Sequence, residues 1–157
     1  MLITKRCIKL SPKTLIRNIE IRVFSHATED VDKVLISAKN LFPVEIKENL
    51  TFKKTQLTGY YKNPIILYKI QLNDKILCLE TLKFISDQLN LSDKENLTYN
   101  IKNHLDKKNL YLRFDKQLAF VSLLRFSTKD PIHLKVHFET RTTREIIDLA
   151  KELGLIL

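Results

Sequence analysis

Glycine is scarce in this 157-residue sequence, which has only Gly59 and Gly154. Neither the GxGxxG nor the GxxxxGK[ST] pattern is present, which excludes the common glycine-rich loops that bind nucleotide phosphates. The two cysteines, Cys7 and Cys78, show no paired-motif spacing and cannot form a metal site unaided. Because the pattern gives no support for a disulfide, we expect an intracellular, cytoplasmic protein without a cofactor.

Long apolar runs are also missing. No segment approaches the roughly 20 apolar residues that a spanning helix needs, so we expect no membrane partner. The first 15 residues are basic and lack the uninterrupted apolar core of a signal peptide. We interpret them as a basic N-terminal arm or an edge extension of one domain that spans residues 1–157.

Patterns that mark catalysis are missing too. There is no G-x-S-x-G motif, and no cysteine lies close to a histidine motif. His133 and His137 have H-x-x-x-H spacing, but they fall in strand sequence, where about 13 Å separates them along the chain. They cannot share one metal ion directly, so we predict no metal site and no enzymatic activity.

Positive charge is abundant. Lysine and arginine total 27 against 18 acidic residues, which gives a formal net charge of +9. Such an excess favours a polyanionic partner, namely RNA, DNA or an anionic surface, although a protein can also be basic without such a partner.

Hydrophobic periodicity predicts an α+β fold. Strands are predicted over residues 16–24, 44–58, 64–72 and 132–138, and helices over 75–90 and 93–105. Thr28 and Ser92 are predicted helix N-caps, Thr142 with Glu145 a capping box, and Gly154 a helix end. Short connections between strands favour a two-layer sandwich, with a mostly antiparallel sheet and helices packed on one face.

The most apolar segment, residues 109–126, is predicted to be a hairpin. Its tip would hold Asp115, Lys116 and Gln117, which suit a tight type I′ turn poorly, so we expect a wider loop that presents Lys116. The strand after the tip is apolar on both faces. A dimer partner or the N-terminal arm is expected to cover the outer face, and packing within one chain is the alternative.

Candidate RNA-binding residues combine aromatic rings with cations. The loop GYYKNP offers stacking rings beside a lysine, although its tyrosines would equally serve to pack the turn. The charged hairpin tip would equally serve solubility alone. An open sheet face with Lys135 between two histidines could also bind RNA. The predicted contact residues are Tyr60, Tyr61, Lys62, Tyr111, Arg113, Lys116, Gln117 and Lys135.

Three segments resemble one family. RVFSHATEDVDKVLISAKNLFP, LTGYYKNPI and NLYLRFDKQLAF are similar, in order, to an archaeal family of RNA-binding proteins that are predicted exosome subunits. The resemblance implies a fold like that of the ribosomal protein that binds 5S RNA, and frequent dimerisation. Lys62 stands where the family pattern has glycine; if that glycine needs a positive φ, lysine implies a somewhat different loop.

The positions that match the family pattern lie in three groups. The first is His26, Thr28, Glu29 and Asp30; the second is Gly59, Tyr60, Tyr61, Asn63 and Pro64; the third is Arg113, Asp115, Lys116 and Gln117.

Two functions fit these observations. The first is a non-catalytic RNA-binding protein, an accessory factor of RNA processing or degradation with exosome or ribosomal components as partners, expected as a homodimer. The second is a structural or adaptor subunit that binds protein through an apolar sheet face, its basic surface being incidental.

Overall fold

A computed structural model describes residues 15–140 and 142–157, and for Tyr60 the backbone alone. The predicted N-terminal arm, apart from Leu15, lies outside the described residues. The strands are β1 (Ile16–His26), β2 (Lys53–Thr58), β3 (Pro64–Leu72), β4 (Leu105–Asp106), β5 (Asn109–Phe114) and β6 (Ile132–Phe138). The helices are α1 (Val31–Lys39), α2 (Val44–Lys47), α3 (Lys75–Gln88), α4 (Leu91–Tyr99), α5 (Lys116–Phe120) and α6 (Thr143–Leu153), and short 3-10 turns span Tyr60–Lys62 and Ile101–His104.

The six strands form one antiparallel sheet in the order β2-β3-β1-β6-β5-β4. Strand β1 lies in the interior and alternates from Ile19 onward, with Ile19, Ile21 and Val23 fully buried and their neighbours on the chain partly exposed. Such alternation puts these three side chains on one face, where the helices cover them. The predicted α+β two-layer sandwich is confirmed.

Several helix ends are confirmed and others are corrected. The hydroxyl of Thr142 accepts from the amide of Glu145 at 3.3 Å, and Gly154 ends α6 at a φ of 81°. Thr28 and Ser92 are not the N-caps, because Asp30 and Asn90 accept the first-turn amides instead. The predicted strand over 44–58 begins only at Lys53, since α2 occupies its first residues, and the predicted helix over 93–105 is α4 followed by a 3-10 turn.

Cys78 behaves as a small apolar residue of α3. It is fully buried, and burial is the main reason that the pKa of its thiol rises to about 11. Its Sγ lies 3.1 Å from the carbonyl oxygen of Leu72. A thiol with so high a pKa is a poor nucleophile at neutral pH.

The described helices include no membrane-spanning candidate: none in residues 15–140 or 142–157 combines enough length with enough apolar character.

The hairpin predicted over residues 109–126 is wrong. Strand β5 ends at Phe114, and Asp115 then caps α5 by accepting the amide of Leu118 at 2.8 Å. The segment after α5 returns only to an isolated bridge between Phe114 and Phe126. Asp115, Lys116 and Gln117 are therefore a helix start, where aspartate is a favoured residue, and not a loop tip.

Lys116 is buried, which overturns the expectation that a loop presents it to solvent. Its side chain is 7% exposed. Its ammonium donates to the backbone carbonyl of Phe24 at 2.7 Å, to Asp130 Oδ2 at 2.7 Å and to both carboxylate oxygens of Glu29 at 3.1 and 3.2 Å. One cation thus ties together the end of β1, the entry to α1, the start of α5 and the segment before β6.

The partners of this ammonium are held in place by further contacts. Nε2 of His26 lies 3.1 Å from Asp130 Oδ1, and Glu29 Oε1 accepts the amide of His26 at 3.0 Å. Partial burial tends to raise the pKa of Asp130, but the hydrogen bonds from Lys116 and His26 outweigh it, so the pKa lies below the ordinary 3.8. Asp130 is therefore a carboxylate at neutral pH and balances the buried lysine.

We expect Lys116→Met to lower the free energy of unfolding by about 2 kcal/mol, because it leaves the carbonyl of Phe24 and the carboxylates of Glu29 and Asp130 without their donor. Chemical denaturation followed by circular dichroism measures this. Lys129→Met is the matched control, since Lys129 is exposed and lies beside Asp130. A loss of less than about 1 kcal/mol, the value of a surface pair, would show that the cluster is not structural.

The same cluster sets a pH dependence. Because the folded pKa of Asp130 is depressed, its stabilising contribution is complete above the unfolded pKa near 3.8 and is lost as the pH falls below it. We expect the stability difference between wild type and Lys116→Met to narrow across that window. A difference that stays constant on acidification would contradict this.

Candidate nucleic-acid interface

The face of the sheet opposite the helices carries a row of basic side chains, hereafter the cationic row. The register pairs Lys53 with Lys69, Lys69 with Arg22, Arg22 with His133, and His133 with Arg113. Residues paired across neighbouring strands share a face, so the row crosses five adjacent strands, from β2 to β5. Four interstrand spacings give it a length of about 19 Å.

One acidic residue organises the row without neutralising it. Glu20 lies 3.4 Å from Nε of Arg22 and 3.3 Å from Nζ of Lys69. Both basic side chains are more than 40% exposed, so these pairs position the side chains and add little stability. Within the described part of the chain, Arg113 and Lys135 form no ion pair.

Aromatic rings stand beside these cations. Tyr111 pairs with Lys135 two residues along the strands from Arg113, and Phe24 meets His133 edge to face with ring centroids 6.4 Å apart. Nδ1 of His137 lies 2.7 Å from Oδ1 of Asn109 on the neighbouring strand. A sheet face that combines rings with cations can stack bases while it holds phosphates.

Two histidines on this face have lowered pKa values, for which burial is the first cause and nearby positive charge the second. Burial is the largest cause of the lowered pKa of His133, and repulsion from Arg22 and Arg113 lowers that pKa further. Partial burial is also the largest cause of the lowered pKa of His137, and the positive charges of Arg17, Lys135 and Lys108 lower that pKa further. Both shifts arise where positive charge is concentrated and acidic residues are few.

The structure brings three of the predicted contact residues together on this face: Tyr111, Arg113 and Lys135. It separates two others. Lys116 is held in its buried cluster, and Gln117 lines a cleft of about 200 Å³ between α1 and α5, on the side of the helices.

The loop with Tyr61 and Lys62 lies at one corner of the sheet, between β2 and β3. Tyr61 is 93% exposed, and both residues are left-handed, with φ of 60° and 61°. Lys62 therefore keeps a conformation that favours glycine, although the side chain differs. Ile65 at this corner lies four positions before Lys69, which belongs to the cationic row. The loop thus lies outside the row.

Sequence reasoning missed the other half of the row. Lys53, Lys69 and Arg22 were not predicted as contacts, although each occupies an outward position of its strand. In the segment IEIRV of β1, charged residues alternate with apolar ones, and this pattern was a local signal that Arg22 points outward. The strand order that makes these residues neighbours is not readable from local sequence.

Three ligand types meet at the end of β1. Side-chain atoms of His26, Glu29 and Asp130 lie within 4.8 Å of one another, a grouping that could hold a metal ion. The ammonium of Lys116 already binds both carboxylates, so a cation supplied by the chain itself occupies the position. The arrangement is that of an ion-pair cluster.

By its structure, the protein is an α+β domain with one sheet face covered by helices and the other face bearing cations and aromatic rings. The family described as RNA binding matches residues 18–138. RNA-binding protein PAB1135 of Pyrococcus abyssi is 32% identical over 130 residues, which are 81% of this chain and 84% of that protein. The chain belongs to this RNA-binding family, which confirms the resemblance at the level of the family.

Solved structures support the same fold. Protein AF2318 from Archaeoglobus fulgidus, a DUF54 protein, superposes with a TM-score of 0.75 at 25% identity, over 88% of this chain and 99% of that one. The DUF54 protein Mth689 from Methanothermobacter thermautotrophicus gives a TM-score of 0.71 at 26% identity, over 88% and 98%.

We expect Arg113→Ala to raise the pKa of His133, because it removes one of the positive charges that disfavour the imidazolium. A pH titration of the histidine ring signals by NMR measures the change. Lys151→Ala, on the far side of α6, is the control and should leave the pKa of His133 unchanged. If Arg113→Ala leaves that pKa unchanged, the charge of Arg113 does not act on the imidazole of His133.

Proposed function

We propose that this protein binds RNA through the open face of its sheet, without catalysing a reaction on it. The observation that carries the proposal is the cationic row, in which side chains from five strands line up across about 19 Å of open surface. Lys53, Lys69, Arg22, Arg113 and the adjacent Lys135 would contact phosphates, while Tyr111 would stack on a base.

Membership of an RNA-binding family supports the nature of the partner. We propose that Tyr61 and Lys62 make additional contacts at the corner of the sheet. Two adjacent left-handed residues other than glycine are uncommon, and such strain often marks a functional loop. Tyr60, the remaining member of this loop, is proposed with them.

The buried position of Lys116 removes it from the proposed contact set and gives it a supporting role. Its cluster holds the carbonyl of Phe24, at the end of the strand that carries Arg22. Gln117 faces the helices and is likewise left out of the set.

We infer further that the protein is a cytoplasmic accessory factor of RNA processing or degradation, with exosome or ribosomal components as partners. This part of the proposal, like a fold related to the 5S RNA-binding ribosomal protein, depends on the sequence resemblance alone. Co-purification from a source that contains the exosome tests it; recovery of RNA without exosome subunits would overturn it.

RNA binding measured at several salt concentrations tests the interface. Five phosphate contacts with a single strand predict a log–log slope of about −3.5, from roughly −0.7 per contact. Removing Arg113 and Lys135 together should reduce the slope by about 1.4, because two contacts are lost. Both residues lack ion-pair partners among the described residues, so their removal should leave the fold intact.

The control is Lys33→Ala/Lys151→Ala, which removes the same charge from exposed positions on helices. It should lower affinity only slightly and keep the slope. Equal slopes for wild type and Arg113→Ala/Lys135→Ala would rule out the open face as the phosphate-binding surface. Absence of binding at low salt would rule out the function itself.

An exposed apolar patch favours a second candidate, the adaptor function. Leu118, Phe120, Val121 and Leu123 are 37–59% exposed around the end of α5. The patch lies away from the cationic row, so the second function is compatible with the first. Association that persists at high salt and fails in Val121→Ser/Leu123→Ser would support an adaptor or a homodimer; a monomer at all concentrations would exclude the dimer.

A further inference from the structure

Among the described residues, only short pieces of chain lie along the outer edge of β5. Strand β4 pairs only with Asn109 and Leu110, and at the other end Phe126 bridges to Phe114. Between these points, His104 Nδ1 lies 3.0 Å from the carbonyl oxygen of Tyr111, and the amide of Ser127 donates to the carbonyl of Arg113 at 3.1 Å. The interruption leaves a cleft of about 490 Å³, hereafter the edge cleft.

The lining of the edge cleft is polar and mostly uncharged. Asn96, Asn103 and Thr128 bring two amides and a hydroxyl, while Tyr111 and Phe126 bring aromatic rings. Among the described residues, the side-chain amide of Asn103 and the hydroxyl of Thr128 form no hydrogen bond, and Asn96 uses only its Oδ1, which accepts from Asn100. Amides and hydroxyls left in this way offer both donors and acceptors to a ligand.

The edge cleft continues the open face. Tyr111 and Arg113 line it, and the same two side chains line a second depression of about 200 Å³ with Arg22, His133 and Lys135 on the open face. A strand of RNA lying along the cationic row would therefore reach the mouth of the edge cleft where its phosphate meets Arg113.

We propose that the edge cleft binds one unpaired nucleobase of the RNA that the cationic row holds, and reads the base by hydrogen bonds. This inference depends on the proposed RNA binding and deepens it, because it makes single-stranded RNA the ligand and gives the protein a base preference. Phosphate contacts alone carry no sequence information, whereas hydrogen bonds to a base edge do.

The chemistry of the edge cleft fits a base better than a phosphate. Arg113 is the one lysine or arginine among its lining residues, and it stands on the side shared with the cationic row. The two rings can stack on the flat face of a base, while the amides and the hydroxyl can form hydrogen bonds with its edge. A base in a duplex cannot enter, because its edge is paired and its faces are stacked.

The test compares fluorescent homopolymers of adenosine, cytidine and uridine, each about 12 nucleotides long, a length within the range that one site covers. We expect wild-type affinities to differ by about tenfold or more between the best and the worst, the discrimination that a hydrogen-bonded base edge provides. Asn103→Ala/Thr128→Ala should bring the three affinities together and keep the salt slope, since no charge is removed.

Asn49→Ala/Thr143→Ala is the matched control, because it removes one amide and one hydroxyl from exposed positions outside the edge cleft. It should keep the wild-type order of affinities. Wild-type protein that binds the three homopolymers equally, or a cleft variant that keeps their order, would overturn the base site.

Nucleoside monophosphates at millimolar concentration separate this proposal from RNA binding as a whole. Shifts in the side-chain amide signals of Asn96 and Asn103 on NMR titration would support the edge cleft, even if the homopolymers failed to bind. If the homopolymers bind but none of the four nucleotides shifts these amide signals, base binding in the edge cleft would be overturned. The proposed RNA binding by the cationic row would then stand alone.

Discussion

The ammonium of Lys116 is the contact on which the arrangement of this protein depends. It binds a strand carbonyl and two carboxylates that come from segments as far apart in sequence as Phe24, Glu29 and Asp130. A buried charge of this kind is stable only when its partners are correctly placed. The segments that carry these partners therefore have few alternative positions. Glu29 and Lys116, which come from two of the segments that carry the family resemblance, meet here in a structural contact.

The Lys116 cluster also affects the open face, because it fixes strands that carry the cationic row. The bound carbonyl of Phe24 belongs to the same strand as Glu20 and Arg22, and Asp130 precedes the strand that carries His133. The cluster thus holds one end of the two central strands on which the middle of the cationic row depends. The side chains proposed to contact phosphate can therefore be long and exposed, because the cluster fixes the backbone that carries them.

Local pattern predicted much of the fold and three of the residues on the open sheet face. Period-two alternation identified β1 and β6, a nearly continuous apolar run identified β3, and the capping box at Thr142 identified the last helix, because these signals act within a few residues. Lys135 was predicted as a contact from its outward strand position, Tyr111 as a stacking ring, and Arg113 as part of a hairpin tip that does not form; the register places all three on one face. The hairpin after Phe114 was mispredicted because a run that is apolar on both faces fits a short buried helix as well as a strand. The N-cap potential of Asp115 was the unused signal.

What local sequence could not give was long-range pairing. Lys53, Lys69 and Arg22 lie in separate strands, and only the order β2-β3-β1-β6-β5-β4 makes them neighbours of His133 and Arg113. Lys116 posed the opposite problem. A lysine in a charged tripeptide is normally solvated, and its burial follows from two acidic partners that are distant in sequence.

Strand β2 closes one side of the sheet, and every one of its residues is exposed. Among the described residues no strand pairs with its outer backbone groups, so they form a template on which a foreign strand could add. Lys53 and Lys54 stand on this strand, and a second copy of the chain would bring the same charges against them. Lys53, at one end of the cationic row, therefore also disfavours edge-to-edge pairing of two sheets. The positive charge that attracts polyanions repels a second copy of the chain at this edge.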